Sequence, residues 1–213
     1  MPAPGGDRYH HGDLPAALLA AATELAAERP LEEFSLREVA RRAGVSRAAP
    51  YHHFVDKAAL LEAVARHGFG ELDRALARAQ RRAGEDPLDQ LRVVARAYVR
   101  FAVSRPNAFR AMFRVSSRSQ ELEEGGPGPL NRVVDLARAY LRRTGRREQD
   151  AVRVALVCWS ALHGLAMLWL DGPLKPEPAA PRRLEPMIDQ VASALVGWVA
   201  AGAPADPHQP DSH

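Results

Sequence analysis

The side chains best placed to do chemistry in this chain form one run, Ser46-Arg47-Ala48-Ala49-Pro50-Tyr51-His52-His53, with Lys57 shortly after it. The front of the run is small and polar, which suits close approach to another macromolecule. Backbone amides at a helix N-terminus, joined by Lys57, can hold a phosphate without reading sequence. Other chemistries find less support. Adjacent histidines such as His52 and His53, or His10 and His11, project in different directions, and no carboxylate stands beside them at ligand spacing. No Ser/His/Asp order, phosphate loop or metal-ligand spacing is found, so neither an enzyme nor a cofactor is expected. Cys158, the single cysteine, is flanked by Val157 and Trp159 and reads as a small buried hydrophobe.

Charge alone does not locate a nucleic-acid surface. The net charge is +3 and the pI about 9.4. Residues 1–72, however, carry eight Lys/Arg against ten Asp/Glu, while residues 73–118 carry eleven against four. Only within residues 37–57, five basic against two acidic, does a local excess coincide with the run.

The elements that must position these groups read as helices throughout, about nine of them, with no alternating strand pattern. Asp13 is an N-cap for a first helix to about Glu28, with Leu14, Leu18 (or Leu19), Ala22 and Leu25 facing inward. Ser35-Leu36-Arg37-Glu38 has the form of a capping box. Its helix buries Leu36, Val39 and Ala40 and stops at Gly44, the residue best able to turn left-handed. Val45 turns inward, and Ser46 can cap a short helix from Arg47 to His53. A short helix, a glycine turn and a second short helix form the minimal unit that lays a recognition helix in a major groove. Asp56 then caps a long helix to about Arg82, and Asp86-Pro87 opens another. On that helix Arg92, Arg96 and Arg100 share one face and are expected in solvent. Further helices are expected at about 107–115, 130–143, 148–170 and 182–201. Loops are expected at 116–129 and 171–181, and residues 1–7 and 203–213 are expected to be disordered.

The run Ser35-Leu36-Arg37-Glu38-Val39-Ala40-Arg41-Arg42-Ala43-Gly44-Val45-Ser46, continued by Tyr51-His52-His53-Phe54 and Asp56-Lys57-Ala58-Ala59-Leu60-Leu61, resembles the DNA-binding signature of the TetR family of repressors. The matching stretch covers about Tyr9 to Val64. A second echo, Trp159-x-x-x-His163-Gly164, resembles a motif in the regulatory domain of one TetR subgroup. The resemblance implies a DNA-binding domain over 8–55, a ligand-binding and dimerisation domain over 56–202, and a tail beyond. It implies that Arg47, Ala48 and Ala49 face bases, and that Ser35, Ser46, Tyr51, His52 and Lys57 mainly meet phosphates. Arg37 joins the DNA-facing set, whereas Arg41 and Arg42 suit a solvated face. Pro50 departs from the commonest pattern; it forgoes one helix bond and offers apolar contact, such as to a thymine methyl. Arg47 is therefore the main candidate for a base hydrogen bond. Arg8, Tyr9, His10 and His11 are either an arm reaching DNA or a lead-in.

Tyr98, Phe101, Phe109, Met112, Phe113, Trp159, His163 and Met167 can line a pocket for an unidentified small-molecule effector, with His163 as the polar group that orients it. Residues 154–170 are almost wholly apolar. This stretch lies at the lower limit for a membrane span and has no second apolar segment beside it, so it reads as a core helix instead. With 182–201 it can build a four-helix bundle across a two-fold axis, making a homodimer that reads palindromic double-stranded operator DNA. No apolar leader precedes the first helix, and a cytoplasmic location is expected. The expected function is a repressor released from its operator by an effector. The alternatives are an activator or architectural protein with the same head and, more distantly, a helical-bundle ligand carrier or enzyme.

Overall fold

Helix boundaries in this chain follow its caps, its prolines and its left-handed glycines. The computed structural model describes residues 14–30, 33–115, 128–174 and 183–202. Eight α-helices are described: α1 (Leu14–Glu28), α2 (Leu36–Arg42), α3 (Lys57–Gln80), α4 (Pro87–Ser104), α5 (Pro106–Val115), α6 (Pro129–Arg143), α7 (Ala151–Leu170) and α8 (Leu184–Ala201). No strand occurs among the described residues. The all-α expectation holds, with one change of kind: the expected ninth helix, Arg47–His53, is a four-residue 3₁₀ turn, Ala49–His52. The Asp13 cap, the Arg8–His11 arm and the 203–213 tail lie outside the described residues, as does most of the expected 116–129 and 171–181 loops.

Proline opens three of these helices at their first position, Pro87, Pro106 and Pro129, where the missing N–H leaves no bond unmade. At the end of α6, Gly145 takes φ 67°. The Arg146 amide then reaches back to Leu141 O (2.8 Å) and the Gly145 amide to Arg142 O (3.2 Å), which satisfies carbonyls the helix would otherwise orphan.

Among the described residues the chain parts into two compact units, one of 14–68 with 107–115 and the other of 69–106 with 128–174 and 183–202. In the first, Leu18, Ala22 and Leu25 of α1 pack on Leu36 and Val39 of α2 and on Leu60 and Val64 of α3, with Val45 and Phe54 closing the edge. In the second, α4 packs against α6, α7 and α8, and α6 against α7. Its buried faces carry Leu91, Ala95 and Ala102 from α4, Val133, Ala137 and Leu141 from α6, Val154, Cys158 and Leu162 from α7, and Ile188, Ala192 and Val196 from α8.

Ion pairs fix the register of this second unit. Arg100 is exposed, as its spacing suggests, and Arg96 is half-buried, but both carry partners on α8. Arg96 Nε lies 2.7 Å from Asp189, and Arg100 grips both oxygens of Glu185 at 2.9 and 2.5 Å. Both pairs have four-residue spacing, so one helical turn of α4 matches one of α8; Arg92 stays on its own helix with Asp89 (2.7 Å). Arg132 of α6 makes a two-pronged contact to Asp73 of α3 (2.9 Å each) and a third bond to Gln80 (2.9 Å). Arg146 donates to Val199 O and Ala200 O, both at 3.0 Å, and so closes the C-terminus of α8. Replacing Arg132 with alanine removes three charge-assisted bonds from half-buried partners. An unfolding free energy lower by about 1–3 kcal/mol is expected, read as a lower urea midpoint at unchanged slope.

Candidate nucleic-acid interface

The candidate interface is built on the short helix α2, which seven residues alone could not hold. Its cap is the expected box. Ser35 Oγ accepts from the Glu38 amide (3.3 Å), and Glu38 Oε2 accepts from the Ser35 amide (2.9 Å). Arg29 donates to the other Glu38 oxygen at 2.6 Å, and together these contacts hold the carboxyl below its ordinary range. At the other end Arg42 forks onto Glu28 (2.7 and 2.8 Å), with Glu24 at 3.4 Å, which ties α2 to α1. Arg42 is thus engaged within the protein, while Arg41 is exposed.

Gly44 turns the chain at φ 70°. The Gly44 amide bonds Arg41 O (3.2 Å) and the Val45 amide bonds Ala40 O (3.0 Å), so Val45 drops into the core as the sequence predicts. The following segment differs from expectation for a local reason. Pro50 has no N–H to give Ser46 O, and the Ala49 amide takes that acceptor at 3.0 Å; the Tyr51 amide likewise bonds Ala48 O at 3.1 Å. Three-residue bonding tightens the stretch into a 3₁₀ turn capped at Ala48, with no side-chain cap from Ser46.

This turn sorts the expected contact residues. Ser35, Arg37, Ser46, Arg47, Ala48, Tyr51 and His52 are exposed, and Tyr51 shows 55% of its surface. Ala49 (8%) and Pro50 are buried, contrary to the exposed positions expected of them; they are apolar, and the turn folds them inward. Asp56 Oδ1 accepts from the Ala59 amide (2.8 Å), capping α3, and Lys57 stands half-buried with its ammonium 5.6 Å from the Phe34 ring centre. Phe34, Ser35, Tyr51, Val55 and Lys57 line one open groove. Val55, 85% exposed, escapes a reading by residue type, because an apolar side chain between Phe54 and Asp56 looks like core. Only the backbone direction after the turn places it outward.

The structure divides the expected pocket residues. Phe109, Met112 and Phe113 lie on α5 in the first unit, the two phenyl rings 4.9 Å apart. Tyr98, Phe101, Trp159, His163 and Met167 belong to the second. Three of these meet: the Trp159 indole N–H donates to the Tyr98 hydroxyl (2.8 Å), which lies 3.0 Å from His163 Nδ1. An indole only donates, so the phenol oxygen accepts from it and the phenol proton is directed to Nδ1. Burial pushes the His163 imidazole below its ordinary range, consistent with a neutral ring that accepts there. Phe101 is buried beneath the Arg105 guanidinium, and Met167 is half-buried. Helix α7 with the turn before it is long and apolar enough to cross a membrane; less than half of its apolar window is buried within the chain.

Comparison with known proteins agrees with this geometry. Residues 18–64 match the model described as bacterial regulatory proteins, tetR family, and residues 91–206 match the tetracyclin repressor-like C-terminal domain. A stretch of 64 residues is 39% identical to the HTH-type transcriptional regulator BetI of Stenotrophomonas maltophilia, covering 30% of this chain; the match spans 33% of that relative's length. Among solved structures, a protein of unknown function from Rhodococcus sp. RHA1 is 32% identical, with a TM-score of 0.71 over 92% of this chain and 98% of that one. A TetR variant from Acinetobacter baumannii AYE, in complex with minocycline, shares the fold at 19% identity, with a TM-score of 0.63 over 92% of this chain and 98% of that one.

Two outcomes are expected from this geometry. Gly44→Ala forces a side chain into a left-handed conformation and should cost about 1–2 kcal/mol in thermal or urea unfolding. Because His163 is lowered from 6.5 when folded, only the unfolded chain takes up its proton as pH falls through that value. The contribution of the neutral ring to stability is complete above about 6.5 and declines below it. Melting temperatures measured across that window should fall less steeply for His163→Gln than for the parent.

Proposed function

Because this chain belongs to the TetR family of bacterial transcriptional regulators, we propose that it is an operator-binding homodimeric repressor that a small-molecule effector releases from DNA. The observation that carries the reading is the exposed edge Ser46-Arg47-Ala48, set beyond a doubly capped helix and a left-handed glycine, with Tyr51 and Lys57 at its far side. Arg47 reads a base, preferentially guanine, through its two-pronged donor geometry, and Ala48 keeps the approach close. Ser35, Arg37, Ser46, Tyr51, His52 and Lys57 bond phosphates and fix the register. Ala49 and Pro50 act as the scaffold of the turn and leave base reading to Arg47.

Two copies are joined through α7 and α8, whose outward faces carry no charge over most of their length. Such a dimer spaces its two recognition turns about 34–36 Å apart, one turn of duplex, and so reads a palindrome. The effector is oriented by His163 within the apolar surroundings of the second unit. It releases DNA only if it binds a state with a different spacing more tightly than the DNA-bound state. The bound minocycline of the Acinetobacter protein supports a ligand-taking regulatory domain, and this chain's own effector is a matter of its own pocket. The protein acts in the cytoplasm, where its DNA is, and carries out no catalysis. If the operator lies upstream of a promoter instead of across it, the same contacts make an activator.

Oligonucleotide selection with the purified full chain is expected to return a palindrome. On that site, Arg47→Ala should weaken binding by about 1–3 kcal/mol and relax one position. Tyr51→Ala with Lys57→Ala should instead weaken all sequences alike and flatten the salt dependence by about one to two in log–log slope. Failure to enrich any sequence overturns the reading.

A further inference from the structure

The outward faces of α7 and α8 contain the same five-residue pattern, Ser160-Ala161-Leu162-His163-Gly164 and Ser193-Ala194-Leu195-Val196-Gly197. In each, the leucine turns toward the unit's interior, Leu162 buried and Leu195 half-buried, while the serine and alanine stand exposed. The glycines are the informative residues. Glycine inside a helix is unfavourable relative to alanine, and it is retained where a backbone must come close to something. A Cβ added at Gly164 or Gly197 would meet nothing within 4 Å in this chain. Gly68 shows the contrast, since a Cβ there would lie 2.7 Å from Met112 Cγ, so its own unit requires that glycine.

The surroundings indicate what comes close. Around Gly164 the exposed face of α7 carries Leu156, Val157 and Leu168, each at least 40% exposed, and no charged residue lies between Arg153 and Asp171. Around Gly197 the face of α8 has no charge from Gln190 to Gly202. The helices are 20 and 18 residues long and pack against each other. Two faces about 30 and 27 Å long and ~10 Å wide present on the order of 600 Å², close to the ~800 Å² per partner of a stable interface. An uncharged, self-similar surface of this size is best matched by itself. Resting on the homodimer proposed above, we infer that Gly164 and Gly197 are the points of closest backbone approach between two copies of this chain, and that the two pentapeptides set the helix spacing there. Small residues at a crossing let helix axes approach toward the lower end of the usual 8–10 Å.

The test is sedimentation equilibrium of the full-length protein in detergent-free buffer, with circular dichroism as a check on folding. Gly164→Leu and Gly197→Leu are each expected to keep the helical signal and to raise the dimer dissociation constant by about ten- to a hundredfold. Gly84→Leu, at a turn where a Cβ also meets nothing, should leave it unchanged. If Leu156→Arg and Leu168→Arg dissociate the dimer while both glycine variants stay dimeric, close approach is overturned and the homodimer reading stands. If none of the four substitutions dissociates a dimeric parent, the close approach and the α7–α8 interface are overturned, and the homodimer is joined elsewhere. A parent that is monomeric, or soluble only when lipid or detergent is added, overturns both the close approach and the homodimer reading.

Discussion

Helix α7 presents more apolar surface than one chain covers, and the second unit is arranged around that constraint. Seventeen residues without a charge from Val154 to Leu170 cannot lie on a surface, so α4, α6 and α8 all pack against it. The charges needed for register are therefore displaced to the rim. Arg96 and Arg100 pair with α8, Arg132 ties α6 to α3, and Arg146 closes the end of α8. Arginine suits this position because its aliphatic stem packs on apolar neighbours while its planar head makes two bonds at once. What the neighbours leave uncovered on α7 is uncharged and partly small, and the proposed dimer is built on this surface.

The first unit solves a different problem, holding two elements of seven and four residues that are too short to be stable alone. It does so with caps and packing. Ser35 and Glu38 close one end of α2, Gly44 closes the other, and Arg42 anchors it to α1. The same devices explain why the acidic balance of residues 1–72 does not argue against DNA contact. Several of the carboxylates, among them Glu28, Glu38 and Asp56, are engaged in pairing or capping, while Arg37, Arg41 and Arg47 stand exposed.

Where sequence and structure differ, a specific residue accounts for it. Pro50 withholds one amide, and that omission turns an expected helix into a 3₁₀ turn and folds Ala49 and Pro50 inward. The pairing of Arg96 and Arg100 is hidden when α4 is considered alone, because their partners lie more than eighty positions away on α8. The hydrogen-bonded trio of Tyr98, Trp159 and His163 shows a mixed case. Its members are identifiable as large or polar groups on apolar helices, but their mutual contact joins two helices over sixty residues apart.

The chain's sequence by itself determined most of what local bonding governs, the turn at Pro50 excepted: the capping box at Ser35, the left-handed turn at Gly44, the Asp56 cap, the prolines that open helices, and the helical period of the core. These depend on neighbours within a few residues, so type and spacing suffice. Tertiary structure decided which exposed-looking groups were engaged and which apolar ones were not. Arg42, Arg96 and Arg100 acquired partners, Val55 stayed in water, and Gly164 and Gly197 were left with empty space above them. Exposure and pairing depend on what other helices bring to a residue, and that is fixed only when the helices pack.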